Sequence, residues 1–591
     1  MPPDASRACG HWLVSLGAFV TFAGAAVAQV PTPAGSGLSP LGGSGAGEIA
    51  VPTAPTGAVT GSDTVGLLGS PMGGSVPLDG ARRGLEGATF RPLGLGLPPG
   101  EPGPPVINNR GYTFTPSLGG QQLYTDNLQQ SGRGQRSEFI TTISPGLLAT
   151  VDTTRLKGVL DYNPSVQIYA SDGQTRVLQR LNGQLLVTLL PQLFFVDLRG
   201  SANVQSAGGG FAPQTSPVVT RNNQVQTTVF QISPYLLQRF GDLATVQAGY
   251  AFQSVTQNAG GSGGAVLTPG GQRLFVNQSF IANELFGVAR TGRDFGRLTL
   301  EGRVVSTDYD GNGVLRGAYR RSASVEARYS LTRWLAVLGD GGYTSQRYAG
   351  NPPFRLDEPT WGAGFRVSLG QESFVTLRYL RRDGFEAPQA DASIMLGGRT
   401  RLFASYNERL ATGAQRAADF LSSTNVDALG NLTDVLTGGP VLQPFADSFL
   451  GTQINLQRTR RAVVTISQSW PRDTINLSLS SERRRTVGLD PTIPLQGLAQ
   501  SQNQSGQFIS IAWTHDLSPV MSATGSLQYG RLERLGSPKS SVYSASATLL
   551  RQLNPRLNSF LQYGHTRRSD VSLTGGNGVQ NLVVLGVRQS F

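Results

Sequence analysis

The stretch "NLVVLGVRQSF", residues 581–591, closes the chain, and its alternation sets the reading of everything before it. Val583, Leu585, Val587 and Phe591 share one parity, while Gly586, Arg588 and Ser590 share the other. A period of two places successive side chains on opposite faces of a strand. One face is apolar and the other wet, so the chain ends inside a sheet.

The same alternation recurs upstream. In "MSATGSLQYG", Met521, Ala523, Leu527 and Tyr529 oppose Ser522, Thr524, Ser526 and Gln528; in "SVYSASATLL", Tyr543, Ala545, Ala547 and Leu549 oppose Ser544, Ser546 and Thr548. Ile475, Leu477 and Leu479 form the apolar set of "TINLSLSS". Short turns are read at "LLPQL" (189–193), "LTRWL" (331–335), "LSPVM" (517–521) and "LNPRL" (553–557). An apolar-face tyrosine follows each of the last three, at Tyr343, Tyr529 and Tyr563, as in the aromatic girdle of a membrane interface. The longest connections, 205–223 and 413–448, fall at the opposite end from the short turns.

Strands of roughly 10 to 14 residues with alternately short and long connections predict an all-β fold, a transmembrane antiparallel β-barrel of about 22 strands (range 18–22). An even count puts both ends of the barrel at the short-turn side, read as periplasmic, in the outer membrane of a Gram-negative bacterium. A secreted β-propeller or β-solenoid would also repeat short strands, but no blade-like motif accompanies the alternation. Apolar residues make up 39% of the chain, and no stretch beyond the N-terminus reaches the ~18 consecutive apolar residues of a membrane helix.

The first 110 residues differ in kind. Arg7 and His11 precede the apolar run Trp12 to Ala28, which ends Ala26-Val27-Ala28, so residues 1–28 read as a signal peptide cleaved before Gln29. An uncleaved anchor is the alternative. Cys9 is the single cysteine and lies upstream of the run, so the mature chain is expected to hold no thiol, disulfide or Cys-based metal site. Residues 29–110, with "PTPAGSGLSPLGGSGAG" and "LPPGEPGPP", are too poor in apolar surface to offset ordering entropy and read as a disordered Gly/Pro-rich periplasmic tether. The barrel occupies 111–591.

"FTPSLGGQQLYTDN" (114–127) followed by "SEFITTISPGLLAT" (137–150) resembles the opening of the outer-membrane barrels grouped as type 2 barrel porins, including members associated with PEP-CTERM and exopolysaccharide systems. Tyr124, Asp126, Asn127 and Ile143 to Gly146 carry the likeness, and "ISPYLLQRFGDLATVQAGY" (232–250) repeats the theme. The resemblance implies an outer-membrane barrel loosely linked to surface polysaccharide and brings no catalytic residue. A terminal strand ending in an aromatic also resembles the signal read by barrel insertion machinery, with Phe591 in the signal position and Gln589 where an apolar residue is more usual.

Candidate chemistry is sparse. His515, in "THDLSP", is read as a solvated turn residue; His565, in "YGHTRRS" with Ser569 and Asp570 nearby, offers an outer-rim hydrolase as a minor alternative. No enzyme, cofactor or metal is expected. The net charge of +12 comes almost wholly from arginine, lysine occurring only at Lys157 and Lys539. In an exported barrel such charge points to lipopolysaccharide and anionic solutes rather than nucleic acid. Outer-membrane lipid, the insertion machinery and periplasmic polysaccharide-export components are the other expected partners.

Parity assigns the lumen. In "RLTLEGRVV", Leu298, Leu300 and Val304 share the apolar face, which turns Glu301 and Arg303 inward; in "ASVEARYSL" the same logic turns Glu326 and Arg328 inward. An arginine on the lipid face would cost about 2 to 4 kcal/mol at mid-membrane. Matching the short-turn ends sets Glu301 against Arg328 and Arg303 against Glu326, with Arg366 and Arg378 extending the charged strip. The function expected is a polar-lined channel passing carbohydrate or exported polysaccharide; the alternative is a non-conducting scaffold barrel of a polysaccharide assembly system.

Overall fold

The computed structural model describes residues 111–591 except 129–134, 172, 207–223, 260–264, 268–272, 276–278, 370–372, 398, 413–414, 416–423, 427–431, 435–454, 490–503, 535–538 and 570–576. The expected signal peptide, the tether and Asp570 lie outside the described residues.

The chain enters the sheet at β1 (Gly111–Thr125), followed by β2 (Glu138–Asp152), β3 (Leu156–Tyr162, resumed at Ser165–Tyr169) and β4 (Thr175–Leu178, resumed at Leu181–Leu190). Then come β5 (Phe194–Ser206), β6 (Gln224–Phe240), β7 (Ala244–Ala259), β8 (Phe280–Thr291), β9 (Leu298–Gly311) and β10 (Ala318–Ser330). The third group is β11 (Leu335–Tyr348), β12 (Phe354–Ser368), β13 (Phe374–Arg382), β14 (Phe385–Leu396), β15 (Thr400–Ala411) and β16 (Leu456–Ser469). The last is β17 (Asp473–Gly488), β18 (Gln504–Ser518), β19 (Met521–Arg534), β20 (Ser540–Asn554), β21 (Leu557–Ser569) and β22 (Gly578–Ser590). The sheet has 24 segments, and because β3 and β4 are each interrupted once, these make 22 strands. Pro164, which has no N–H to give the ladder, marks the break in β3.

Sequential neighbours pair antiparallel throughout, and β22 pairs with β1 from Ser117↔Ser590 to Thr125↔Leu582. The ladder therefore returns on itself and leaves no free edge, the condition for a sheet in hydrocarbon. Residues 191–193, 331–334, 519–520 and 555–556 form short turns at one end, the end where β1 starts and β22 stops. The longer connections leave from the other end.

The outer face carries exposed apolar side chains. Val304, Leu285, Leu527 and Leu585 are each about 60% exposed, while their strand neighbours Val305, Glu284, Gln528 and Val584 are buried inward. Tyr529 and Tyr543 meet at 4.7 Å, Tyr124 and Phe139 at 4.8 Å, and Trp361 and Tyr379 at 6.3 Å, forming an aromatic band near the long-loop end. Trp334, Trp470, Trp513 and Phe591 are exposed near the short turns. A belt of aliphatics between two aromatic girdles is the exterior of an outer-membrane β-barrel.

The motif of the opening segment closes the ring. Asp126 accepts hydrogen bonds from the Asn581 backbone N–H at 2.7 Å and from its side-chain amide at 2.6 Å. Asn127 donates to the Val579 carbonyl at 2.8 Å, and Gln580 donates to the Asn127 carbonyl at 2.9 Å. Thus Asp126 and Asn127 tie the first hairpin to the last strand. Gln589, the departure from the usual terminal pattern, satisfies its own amide on the Ser590 carbonyl at 2.9 Å.

Apolar side chains also line parts of the interior. Phe195, Tyr235, Leu237, Phe286, Val288 and Val305 cluster on the inner face, and Leu123, Ile140, Tyr169, Leu550, Phe560, Leu582 and Val584 form a second group. A third lies at the long-loop end, where the turn Gly313–Leu315 between β9 and β10 folds inward and buries Val314 and Leu315 against Phe280, Tyr309, Tyr348, Leu410 and Leu456. Ala349 donates to the Val314 carbonyl at 2.9 Å. Across four intervening strands, Asn351 in the β11–β12 loop forms a two-bond bridge to Leu489 beyond β17. These loops lean over the mouth rather than away from it.

Candidate functional site

Backbone register brings charge to one inner level of the wall. Arg290 of β8 stands opposite Glu301 of β9, Glu301 opposite Glu326 of β10, and Glu326 opposite Asp340 of β11. Three carboxylates thus lie side by side on consecutive strands. Like charges directly opposite destabilise a sheet, so this row requires cations, and arginines supply them. Arg303 donates to Glu301 at 3.0 Å along the same strand. Arg378 of β13 donates to both oxygens of Glu326 at 2.9 and 3.0 Å, and to Asp340 at 3.2 Å. Its side chain is only 2% exposed.

To reach Glu326 from β13, the Arg378 side chain crosses β12 and β11, and glycine permits this. The inward positions of β12 beside it are Gly362 and Gly364. A Cβ on Gly364 would stand 2.4 Å from the Leu377 carbonyl oxygen and 2.9 Å from Arg378 Cγ; one on Gly362 would stand 2.3 Å from a Leu380 methyl. The inner wall is bare there so that a guanidinium can lie across it. Gly364→Val should cost about 1–3 kcal/mol through overpacking and displace Arg378 from Glu326, seen as a lower denaturation midpoint followed by heat-modifiable gel migration. An unchanged midpoint would remove the packing role of this glycine.

Of the six lumen residues named from parity, Glu301, Arg303, Arg366 and Arg378 are buried inward, and Glu326 and Arg328 are half-buried on the same face. The expected crossed pairs are corrected. Glu301 stands opposite Glu326, Arg303 opposite Ser324, and Arg328 opposite Thr299, a slip of two residues that leaves every side chain on its assigned face. The β9–β10 register is set at the long-loop end, where the inward-folded turn 313–315 anchors Tyr309 against Ala318. Matching the short-turn ends misses that anchor. Arg366 stacks on the Phe374 ring at 4.3 Å.

Other charged groups on the inner wall were not foreseen. Arg199 forms a two-oxygen pair with Asp197, and Arg320 reaches Asp383 at 3.3 Å, where Gln346 also donates at 3.0 Å. Glu482 holds the fully buried Arg484 at 2.5 Å. The sequence signal was available in "VDLRG" and "SERRRT", whose acid and arginine share a parity.

His515 and His565 take strand positions on the outer face. His515 lies within β18, where the sequence reading had a turn; its Nδ1 pairs with Asp473 at 2.8 Å, and Trp513 donates to the same oxygen at 2.8 Å. His565 Nδ1 pairs with Asn581 at 2.8 Å, while the Ser569 hydroxyl pairs with Ser541 at 2.7 Å.

No protein-family model matches the chain, and no curated protein matches it. Among solved structures, the chain is similar to the ferric-catecholate import receptor Fiu of E. coli K12 in its closed form, with TM-score 0.46 and 9% identity over 80% of this chain and 81% of that one. It is similar to the ferripyoverdine receptor of the outer membrane of Pseudomonas aeruginosa, with TM-score 0.44 and 11% identity over 82% and 72%. OccK2 (OpdF) of Pseudomonas aeruginosa aligns with TM-score 0.33 and 10% identity over 81% and 99%.

Proposed function

We propose that the chain is an outer-membrane channel for a polar solute, of the carbohydrate or exported-polysaccharide class, with the short turns facing the periplasm and no covalent chemistry of its own. The observation that carries this reading is the inward row Arg290, Glu301, Glu326 and Asp340 with its arginine partners Arg303 and Arg378. Guanidinium donors set against a row of carboxylate acceptors on a lumen wall suit sugar hydroxyls and tune ion passage. The resemblance of 114–150 to type 2 barrel porins supports the polysaccharide link.

Refolded protein in a planar bilayer should open in discrete conductance steps. Changing Arg303 and Arg366 together to glutamine removes two inward positive charges, so in a salt gradient the reversal potential should move toward the cation equilibrium value. A conducting variant whose reversal potential matches wild type would detach these arginines from the permeation path. A persistently closed bilayer favours the second reading, a scaffold barrel of a surface-polysaccharide assembly system. That reading draws on the apolar cluster around Val314, Leu315, Tyr309 and Tyr348, which packs inward-folded loops at the long-loop end.

A further inference from the structure

The β14–β15 ladder stops before its strands do. Register pairing runs from Leu396↔Thr400 up to Ala390↔Tyr406, yet β14 begins at Phe385 and β15 continues to Ala411. Residues 385–389 and 407–411 therefore lie beyond the ladder, and a proline accounts for the break. Continuing the same register would set Pro388 opposite Glu408 and Glu386 opposite Leu410. Backbone groups alternate in direction along a strand, and the Glu386 carbonyl turns toward β15 and β16. Pro388, two residues on, turns the same way with no N–H to give.

Arginines stand in for the missing ladder bonds. The Glu408 carbonyl, which an N–H at position 388 would serve, accepts from the Arg382 guanidinium at 3.2 Å. The Glu386 carbonyl accepts from Arg458 at 3.4 Å, and the same guanidinium stacks on the Phe385 ring at 3.9 Å. The Glu408 side chain, 1% exposed, binds Arg458 and Arg460, the second at 2.9 Å. Phe385 and Leu410 pack into the apolar cluster of the long-loop end. The gap is sealed, but by side chains rather than by backbone pairing.

Each side of the gap is anchored separately. At the β13–β14 tip, the Gly384 N–H donates to Glu358 of β12 at 2.7 Å, and Asp383 accepts from Gln346 of β11 at 3.0 Å and pairs with Arg320 of β10 at 3.3 Å. β15 is paired with β16 along its whole length, from Thr400↔Gln468 to Ala411↔Gln457. Parting the two sides breaks the guanidinium contacts and the Asn351–Leu489 bridge, but no bond of the β14–β15 ladder. Tyr406 lies six residues and Leu410 ten residues above Thr400 at the short-turn end. At about 3.3 Å per residue and a tilt of roughly 40°, the split spans heights of ~15 to ~25 Å, the outer part of the apolar band. A sheet edge cannot stand open to hydrocarbon. A molecule that parts it must therefore bring polar groups to the freed carbonyls while its apolar part stays in lipid.

We propose that the β14–β15 split is a lateral gate between the lumen and the outer part of the membrane, passing an amphipathic solute with a hydroxyl-bearing head and an acyl chain. This goes beyond the channel reading and does not require conduction along the barrel axis. The test uses full-length protein carrying Cys9→Ser, in liposomes containing a lipid whose acyl chain ends in a maleimide, and reads the labelling of one introduced cysteine. Ala387→Cys stands on the inner face behind the split, and Ser544→Cys on the inner face behind unbroken ladders. Labelling should be faster at position 387 than at 544, and R382Q/R458Q should raise it at 387 at least about tenfold, as expected on losing hydrogen bonds from charged donors. Pro388→Val, which supplies the N–H for the Glu408 carbonyl, should lower it. n-Octyl glucoside below its micellar concentration should compete with labelling, and glucose should not. Equal labelling at the two positions, or no response to R382Q/R458Q, overturns the gate; equal competition by glucose, or none by octyl glucoside, overturns the amphipathic solute. If the double variant does not fold, hydrogen exchange decides: residues 407–411 should exchange faster than 400–406 in wild type and should slow in Pro388→Val, and an unchanged rate overturns the split as a moving joint.

Discussion

A chain ending at Arg588 should fail to assemble, migrating on an unheated gel at its unfolded position. The three missing residues hold the ring at its seam. Ser590 pairs with Ser117, and Gln589 pairs with both Leu118 of β1 and Leu557 of β21. The Phe591 N–H donates to the Pro116 carbonyl at 2.9 Å, and the Ser590 N–H to the Arg556 carbonyl at 2.7 Å. Their loss leaves backbone groups of β1 and β21 without their ladder partners and opens the seam of the ring at its short-turn end. Phe591 is itself 61% exposed and faces outward, so its ring adds nothing to the core and is free to be read by an insertion machinery. Phe591→Ala therefore separates two roles. It keeps the seam's backbone bonds, so a defect as deep as the truncation would assign the terminal residue to recognition rather than closure. Normal heat-modifiable migration of the truncated chain would sink both.

The second large effect is expected at Arg378. Removing one partner of a buried ion pair costs about 3–5 kcal/mol, and Arg378→Gln takes the two-oxygen grip from Glu326 and one contact from Asp340 in a row of carboxylates that includes Glu301. The denaturation midpoint should fall sharply. Arg378→Lys should rescue it only in part, since a single ammonium cannot reproduce the two-oxygen grip on Glu326. Neutralising the acids as well, with Glu326→Gln and Asp340→Asn, should recover most of the loss, because the penalty lies in the repulsion of the carboxylate row and not in the missing contact. A single Arg378→Gln variant as stable as wild type would mean that the carboxylate row is hydrated and the arginine dispensable.

Much of the fold was legible because a barrel in lipid is governed by one-dimensional rules. Side chains alternate with a period of two, a cation on the lipid face is costly, and an even number of strands returns the chain to its starting side. Parity alone put Val583, Leu585 and Val587 on the apolar face and Arg588 on the wet one, and the short turns at 331–335, 517–521 and 553–557 read directly from polar or proline residues between apolar ones. His515 shows where local reading weakens: a histidine followed by Asp-Leu-Ser-Pro looks like a turn, but Asp473 and Trp513 on the outer face hold it in the strand.

What the chain determined by itself was the class of sheet and the face of each side chain, since both follow from neighbours one and two residues away. What only the tertiary structure decided was which side chains meet. Sliding β9 against β10 by two residues preserves every face assignment while replacing two acid–base pairs with an acid–acid pair, so parity cannot choose between registers; the anchoring of 313–315 in the apolar cluster chooses. The same holds for Arg378, whose partners lie two and three strands away across glycines, and for the clasp between Asp126 and Asn581, 455 residues apart. Those contacts depend on strand offset and ring closure, which are properties of the closed sheet and not of any segment within it.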